Sequence, residues 1–126
     1  MRFTLSSSAL NSRLQALCKV INAKNSLSIL ESFLFQVSNG QVLITASDGE
    51  NTMRSNLLLD EADTDGTFAI PSHTILDAVK ELPEQPLTFE VNMDNFEATV
   101  IYQNGQYQFK ALSGEEYPQE RAVTED

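Results

Sequence analysis

The sequence predicts an α+β fold built from a duplicated β-α-β-β-β unit, with two adjacent helices packed on antiparallel sheets. Three observations lead there. A short alternating strand followed by a helical apolar stripe occurs twice, at residues 2–21 and again at 67–82. Asn-Gly also occurs twice between strand-like runs, at Asn39-Gly40 and Asn104-Gly105. A single shift of 65 residues overlays Phe3 on Phe68, Leu5 on Ile70, Ser7 on Ser72, and Leu10, Leu14 and Leu17 on Ile75, Val79 and Leu82. The same shift places Asn39-Gly40-Gln41 on Asn104-Gly105-Gln106, Ala46 on Ala111 and Gly49-Glu50 on Gly114-Glu115.

In chain order, Arg2–Leu5 alternates apolar and polar residues as a half-buried strand does. Ser6-Ser7-Ser8 offers hydroxyls to the unpaired N–H groups of a helix start, and Leu10, Leu14, Leu17 and Ile21 then fall on one helical face. Phe33–Val37 and Val42–Ala46 flank the first Asn-Gly as a hairpin, and Thr52–Leu59 follows Asp48-Gly49-Glu50 as a third strand. Asp60–Gly66 reads as an acidic loop. The unit then restarts: strand Thr67–Ile70, a helix opened by Pro71-Ser72 with Ile75, Leu76, Val79 and Leu82 inward, and an exit bracketed by Pro83 and Pro86. Leu87–Val91, Ala98–Gln103 and Gln106–Leu112 complete the second set of strands. The repeats span about 1–60 and 66–120, one domain of 1–120.

Composition narrows the function. At 126 residues and 41% hydrophobic, the chain suits one globular domain, and no run approaches the roughly 18 apolar residues of a membrane span. Residues 1–5 run into serines with no signal-peptide core, and a single cysteine excludes an internal disulfide; both suit a reducing cytoplasm. Cys18 sits on the helical pattern as a structural thiol. The net charge of −10 argues by itself against nucleic acid, yet it is unevenly spread. Residues 1–30 hold Arg2, Arg13, Lys19 and Lys24 and no acid, while the remainder holds four bases against eighteen acids. Lys19, Asn11, Ser12 and Gln15 fall away from the leucine stripe of the first helix, as do His73, Asp77 and Lys80 on the second. The two helices therefore predict one mildly basic surface on an acidic body.

Chemistry-bearing motifs are absent. Asp60–Gly66 lacks the downstream glutamate of a calcium loop, and there is no glycine-rich phosphate loop, nucleophile triad or paired metal-ligand spacing. No catalytic residue, cofactor or metal is expected.

Met1–Leu5, Leu14-Gln15, Leu27–Leu30, Phe33–Val37, Asp48-Gly49-Glu50, Ile70-Pro71, Leu82-Pro83, Ala111-Leu112-Ser113 and Tyr117-Pro118 follow one another at a characteristic order and spacing. In that order and spacing they resemble the N-terminal domain of one family, the β sliding clamp of bacterial DNA polymerase III. The resemblance implies the DNA clamp fold, a processivity factor without catalytic activity, and a full-length subunit of three such domains. Two such subunits would close head-to-tail around duplex DNA, with residues 121–126 beginning a linker. It further implies that DNA polymerase III and the clamp loader dock on later domains.

By that resemblance Lys24 and His73 match basic DNA-contacting positions, although imidazole replaces the usual arginine at 73. Lys19 and Lys80 are DNA-facing candidates by helical phase alone, and Arg13 lies nearer the apolar stripe. Tyr107 and Phe109 alternate on the last strand. They either face this domain's own core or, as the resemblance implies, form an apolar contact with another subunit. Here the edge carries Asn104, Gln106 and Gln108 with Lys110 as its one base, a departure from the family's basic edge. Two further readings remain: an acidic protein-interaction module pairing through an exposed edge strand, Gln106–Leu112, and a hydrolase using Asp48, Glu50 or His73.

Overall fold

The computed structural model describes residues 1–19, 32–47, 52–80 and 82–114. Among the described residues eight strands and the two helices follow the predicted order, and two short strands are additional. The first half contributes β1 (Arg2–Ser6), α1 (Ser7–Leu17), β2 (Ser32–Ser38), β3 (Gln41–Ser47), β4 (Thr52–Leu58) and the short β5 (Glu61–Ala62). The second contributes β6 (Gly66–Pro71), α2 (Ser72–Val79), β7 (Pro86–Val91), β8 (Glu97–Tyr102), β9 (Gly105–Lys110) and the short β10 (Leu112–Ser113).

The halves interlock. One sheet runs β5-β1-β7-β8-β9 and the other β10-β6-β2-β3-β4, antiparallel throughout. Each half thus lends its first strand to the meander of the other. The registers match across this pseudo-symmetry, with Phe3 opposite Phe89 in one sheet and Phe68 opposite Phe35 in the other. These four rings form the centre of the core: Phe3 stacks on Phe89 at 5.0 Å, Phe35 on Phe68 at 5.4 Å, and Phe3 meets Phe68 at 6.1 Å. All four are essentially solvent-free. Burying one such side chain stabilises the fold by about 1.5–3 kcal/mol.

The helices cover the inner faces of the sheets and touch each other, α1 resting on β1 and β4, α2 on β2 and β6. Leu10, Leu14 and Leu17 of α1 and Ile75 and Val79 of α2 are the buried stripe, as their spacing predicts. Leu82 packs on the core from beyond the end of α2, and Ile21 lies outside the described residues.

The 65-residue shift holds only for the first strand and helix of each half. Residues 18–31 separate α1 from β2, whereas 80–85 suffice between α2 and β7, so all later counterparts lie closer together. Asn39-Gly40 is the β2–β3 turn, and its topological counterpart is Asn92–Phe96, not Asn104-Gly105. Ala46 lies inside β3 while Ala111 separates β9 from β10.

The two Asn-Gly pairs also differ in kind. Asn39 and Gly40 both take left-handed φ (54° and 77°), the geometry of a two-residue hairpin whose twist matches its strands. At the other site the loop is Gln103-Asn104, with Tyr102 paired to Gly105, and none of Gln103, Asn104 or Gly105 is left-handed. Gly105 instead serves a close approach: a Cβ there would lie 3.3 Å from the Tyr102 hydroxyl.

Two predicted segments are subdivided. The acidic stretch 60–66 contains β5, which pairs with β1. The run Gln106–Leu112 breaks at Ala111, whose N–H donates to the Phe96 carbonyl at 2.7 Å as the chain passes from one sheet to the other.

Candidate functional site

The α1 surface opposite the leucines is polar and nearly uncharged. Ser8, Ser12, Gln15 and Lys19 are exposed, and the Gln15 side-chain amide donates to Asn11 Oδ1 at 3.4 Å. Ser6 caps the helix, its hydroxyl accepting the Ala9 N–H at 3.2 Å. At the other end the Cys18 thiol donates to the Gln15 carbonyl at 3.2 Å. Arg13 turns aside to β4, where its Nε donates to the Asn56 carbonyl at 3.3 Å.

On α2, His73 and Lys80 are exposed, and Lys80 pairs with Asp77 at 3.3 Å. Both partners are at least half exposed, so the pair adds little stability, but it offsets the lysine's charge locally. Lys19, His73 and Lys80 thus all stand at the surface of the helix pair. Lys24, Asp48 and Glu50 lie outside the described residues.

Charge segregates by layer. Asp77 is the one carboxylate on either helix, and the strands of the β10-β6-β2-β3-β4 sheet carry none. Among the described residues the rest belong to the β5-β1-β7-β8-β9 sheet and its connections: Asp60, Glu61, Asp63, Asp65, Glu84, Glu90, Asp94 and Glu97. Arg2 pairs with Glu90 there at 3.0 Å, and its N–H donates to Asp63, holding that carboxyl below its usual range.

At the end of this sheet β9 has only β8 as a neighbour. Tyr107 and Phe109 stand opposite Val100 and Ala98, both buried, so the two aromatics project from the core-facing side of the sheet at its open edge. Phe109 packs partly against the core, whereas Tyr107 is 41% exposed; their rings lie 6.1 Å apart. Gln106, Gln108 and Lys110 point to the opposite face.

One cluster lies outside anything that periodicity signals. Glu84 receives the Ser8 N–H at 2.9 Å and the Ser6 hydroxyl at 2.8 Å; the Ser8 side chain first, then the Ser8 N–H and the Ser6 hydroxyl, lower its carboxyl to about 2. Ser7 is buried; its hydroxyl donates to the Pro83 carbonyl and accepts the Gln85 N–H, both at 3.0 Å. The Gln85 carbonyl accepts the Ser7 N–H at 2.9 Å, and its side chain accepts the Gln103 N–H at 2.6 Å. Residues 83–86 read in sequence only as the exit from a helix. The two prolines bracketing Glu84 and Gln85 are the one signal of a fixed, polar connection.

No three acidic, histidine or cysteine side chains among the described residues gather to hold a metal ion, and no described helix is long and apolar enough to cross a membrane.

Two five-stranded sheets with exchanged first strands, lined by a helix pair, define the sliding-clamp fold. Solved structures share it: the beta subunit from DNA polymerase of Streptococcus pyogenes superposes with TM-score 0.89 at 16% identity, covering 100% of this chain and 34% of that one. The Pseudomonas aeruginosa clamp bound to griselimycin gives 0.87 at 22%, covering 98% and 33%. The Helicobacter pylori clamp bound to a DNA ligase peptide gives 0.88 at 19%, covering 98% and 34%. Residues 1–121 match the family described as DNA polymerase III beta subunit, N-terminal domain, and the chain belongs to that family. The Haemophilus influenzae beta sliding clamp is 28% identical over 120 residues, 94% of this chain and 32% of the relative. The Pseudomonas putida clamp is 25% identical over 118 residues, again 94% and 32%. The chain therefore spans about a third of the length of the curated relatives it matches.

Proposed function

We propose that this domain, residues 1–120, is one arc of a ring that encircles duplex DNA and slides along it. The ring holds DNA polymerase III to its template as a non-catalytic processivity factor in the cytoplasm. The observation that carries this reading is the segregation of charge: the helices themselves bear one carboxylate, which is ion-paired, Glu84 caps the start of α1, and the other described acids belong to the β5-β1-β7-β8-β9 sheet and its connections.

A sliding protein must avoid bidentate contacts to bases, because each would favour one sequence and halt motion. Diffuse attraction to phosphates suffices, and it is sequence-independent and salt-sensitive. Lys19, Lys24, His73 and Lys80 supply that attraction from the helix side, with the serine, asparagine and glutamine side chains of α1 holding bridging water. The acidic sheet repels DNA from the outer wall.

Tyr107 and Phe109 on the open β9 edge make the apolar contact that closes a head-to-tail homodimer of the full-length subunit, which continues past residues 121–126 into further domains. Polymerase and clamp loader dock on those domains. The ligase peptide bound by the Helicobacter pylori clamp supports short peptides as one kind of partner.

The test is the mass of the full-length protein in solution, repeated with Phe109→Glu. Dissociation into single subunits is expected, and a dimer indifferent to this charge would remove β9 from the interface. For the isolated domain, DNA binding should be weak and lost at modest salt. Tight, sequence-selective binding would contradict sliding.

A further inference from the structure

We propose that Gln85 is a positioning residue that fixes the open edge of β9 by pinning the β8–β9 turn to the start of α1. The proposal rests on the reading of β9 as the ring-closing edge.

Two-residue hairpin loops normally rely on left-handed residues, because those turns share the right-handed twist of the strands they join; turns without them splay the strands. Asn39-Gly40 obeys that rule and Gln103-Asn104 does not. The second hairpin therefore needs support from outside itself, and it is the hairpin that ends in the edge strand. Its Gln103 N–H, which the loop leaves without a partner, is taken by Gln85 Oε1 at 2.6 Å.

Gln85 is well placed to hold it. Only 7% of the residue is exposed, and its Nε2 donates to the Pro83 carbonyl at 3.1 Å, so the amide is held at both ends. Its backbone is fastened to Ser7 in both directions, by Ser7 N–H to the Gln85 carbonyl at 2.9 Å and Gln85 N–H to the Ser7 hydroxyl at 3.0 Å. A continuous set of hydrogen bonds thus runs from the first residue of α1, through Gln85, to the loop that launches β9. Tyr107 and Phe109 follow that loop, so a small rotation at Gln103 displaces both aromatics relative to a partner strand. Edge pairing demands this accuracy, since a ladder forms only in register.

The experiment uses the full-length protein and follows subunit exchange between two fluorescently labelled populations. Gln85→Met keeps the volume and removes both side-chain hydrogen bonds. Losing the bond to the Gln103 N–H should accelerate exchange by roughly two- to tenfold. Amide protection along residues 105–110 should fall with it.

Replacing Gln103-Asn104 by Asn-Gly supplies a self-sufficient turn, and adding it to Gln85→Met should restore slow exchange. A residue that merely stabilised the core would show no such rescue. Phe109→Glu serves as the control for the edge itself. If Phe109→Glu speeds exchange while Gln85→Met leaves it unchanged, the role of Gln85 is overturned and the edge stands. If Gln85→Met acts but the Asn-Gly turn fails to rescue it, positioning through the turn is overturned. If Phe109→Glu has no effect, the ring-closing reading of β9 falls, and the assigned role of Gln85 falls with it.

Discussion

The Glu84 carboxylate accepts the Ser8 N–H at 2.9 Å, placing an anion from the second half of the chain at the N-terminus of the helix of the first half. The exposed N–H groups of a helix start carry partial positive charge, so a carboxylate there meets both a hydrogen-bonding and an electrostatic requirement. The Ser6 hydroxyl donates to the same group.

This contact predicts an acid-sensitive term in stability. Hydrogen bonds from Ser8 and Ser6 hold Glu84 at about 2, below its ordinary 4.5. A lowered carboxyl contributes stability that is complete above the ordinary value and is lost as pH falls through the lowered one. Thermal unfolding of Glu84→Gln should therefore show its largest deficit against the parent at neutral pH, shrinking below pH 4.5 and vanishing near pH 2. A deficit independent of pH would mean that the charge plays no part.

The four-ring centre predicts a large loss on truncation. Phe89 is fully buried and stacked on Phe3 at 5.0 Å with planes 3° apart. Phe89→Ala should cost about 3–5 kcal/mol in denaturant unfolding, from lost transfer energy and the remaining cavity. Phe3→Ala, on the opposite strand, should cost a similar amount, since the two rings are halves of one contact.

Gly40 predicts a smaller, purely conformational cost. Nothing lies within 4 Å of a Cβ built there, yet its φ is +77°. Gly40→Ala should destabilise by about 1–2 kcal/mol without steric repacking. Unfolding measurements on Gly40→Ala and Gly40→Asn separate the two explanations, because Asn tolerates the left-handed region better than Ala.

The helix faces predict opposite changes in DNA attraction. In the full-length protein Lys19→Ala should reduce the salt dependence of binding by about one unit of slope, uniformly across sequences. Asp77→Asn, which frees Lys80 from its 3.3 Å partner, should tighten binding at low salt. Titrations of each variant at several salt concentrations check both. A change confined to one DNA sequence would count against sliding.

The repeating pattern of apolar residues made much of this fold legible. Leu10, Leu14 and Leu17 on α1 and the Phe3/Phe68 pair follow from periodicity alone, because burial of one face is what periodicity records. The exchange of β1 and β6 was not legible, since alternation says that a strand has a buried face but not which strand it joins. The Asn104-Gly105 turn misled for a related reason. The dipeptide permits left-handed φ, but here the strands pair Tyr102 with Gly105, so the loop is Gln103-Asn104 and Gly105 already belongs to β9 beside the Tyr102 ring. At the site, the exposed helix residues were readable from phase, whereas Glu84 and Gln85 act through contacts with α1 that no spacing encodes.

Exchanged first strands bear on how the protein is made. When β1 leaves the ribosome its partner β7 is more than 80 residues away, and synthesis at 5–20 residues per second delays it by on the order of ten seconds. The meander β2-β3-β4 meanwhile waits with the flank destined for β6 unpaired. Neither half has a complete sheet before the other is translated, so the domain assembles late and all at once. Until β6 follows, the nascent chain also carries an open, apolar edge on β2, and a chaperone or a neighbouring chain competes with β6 for it.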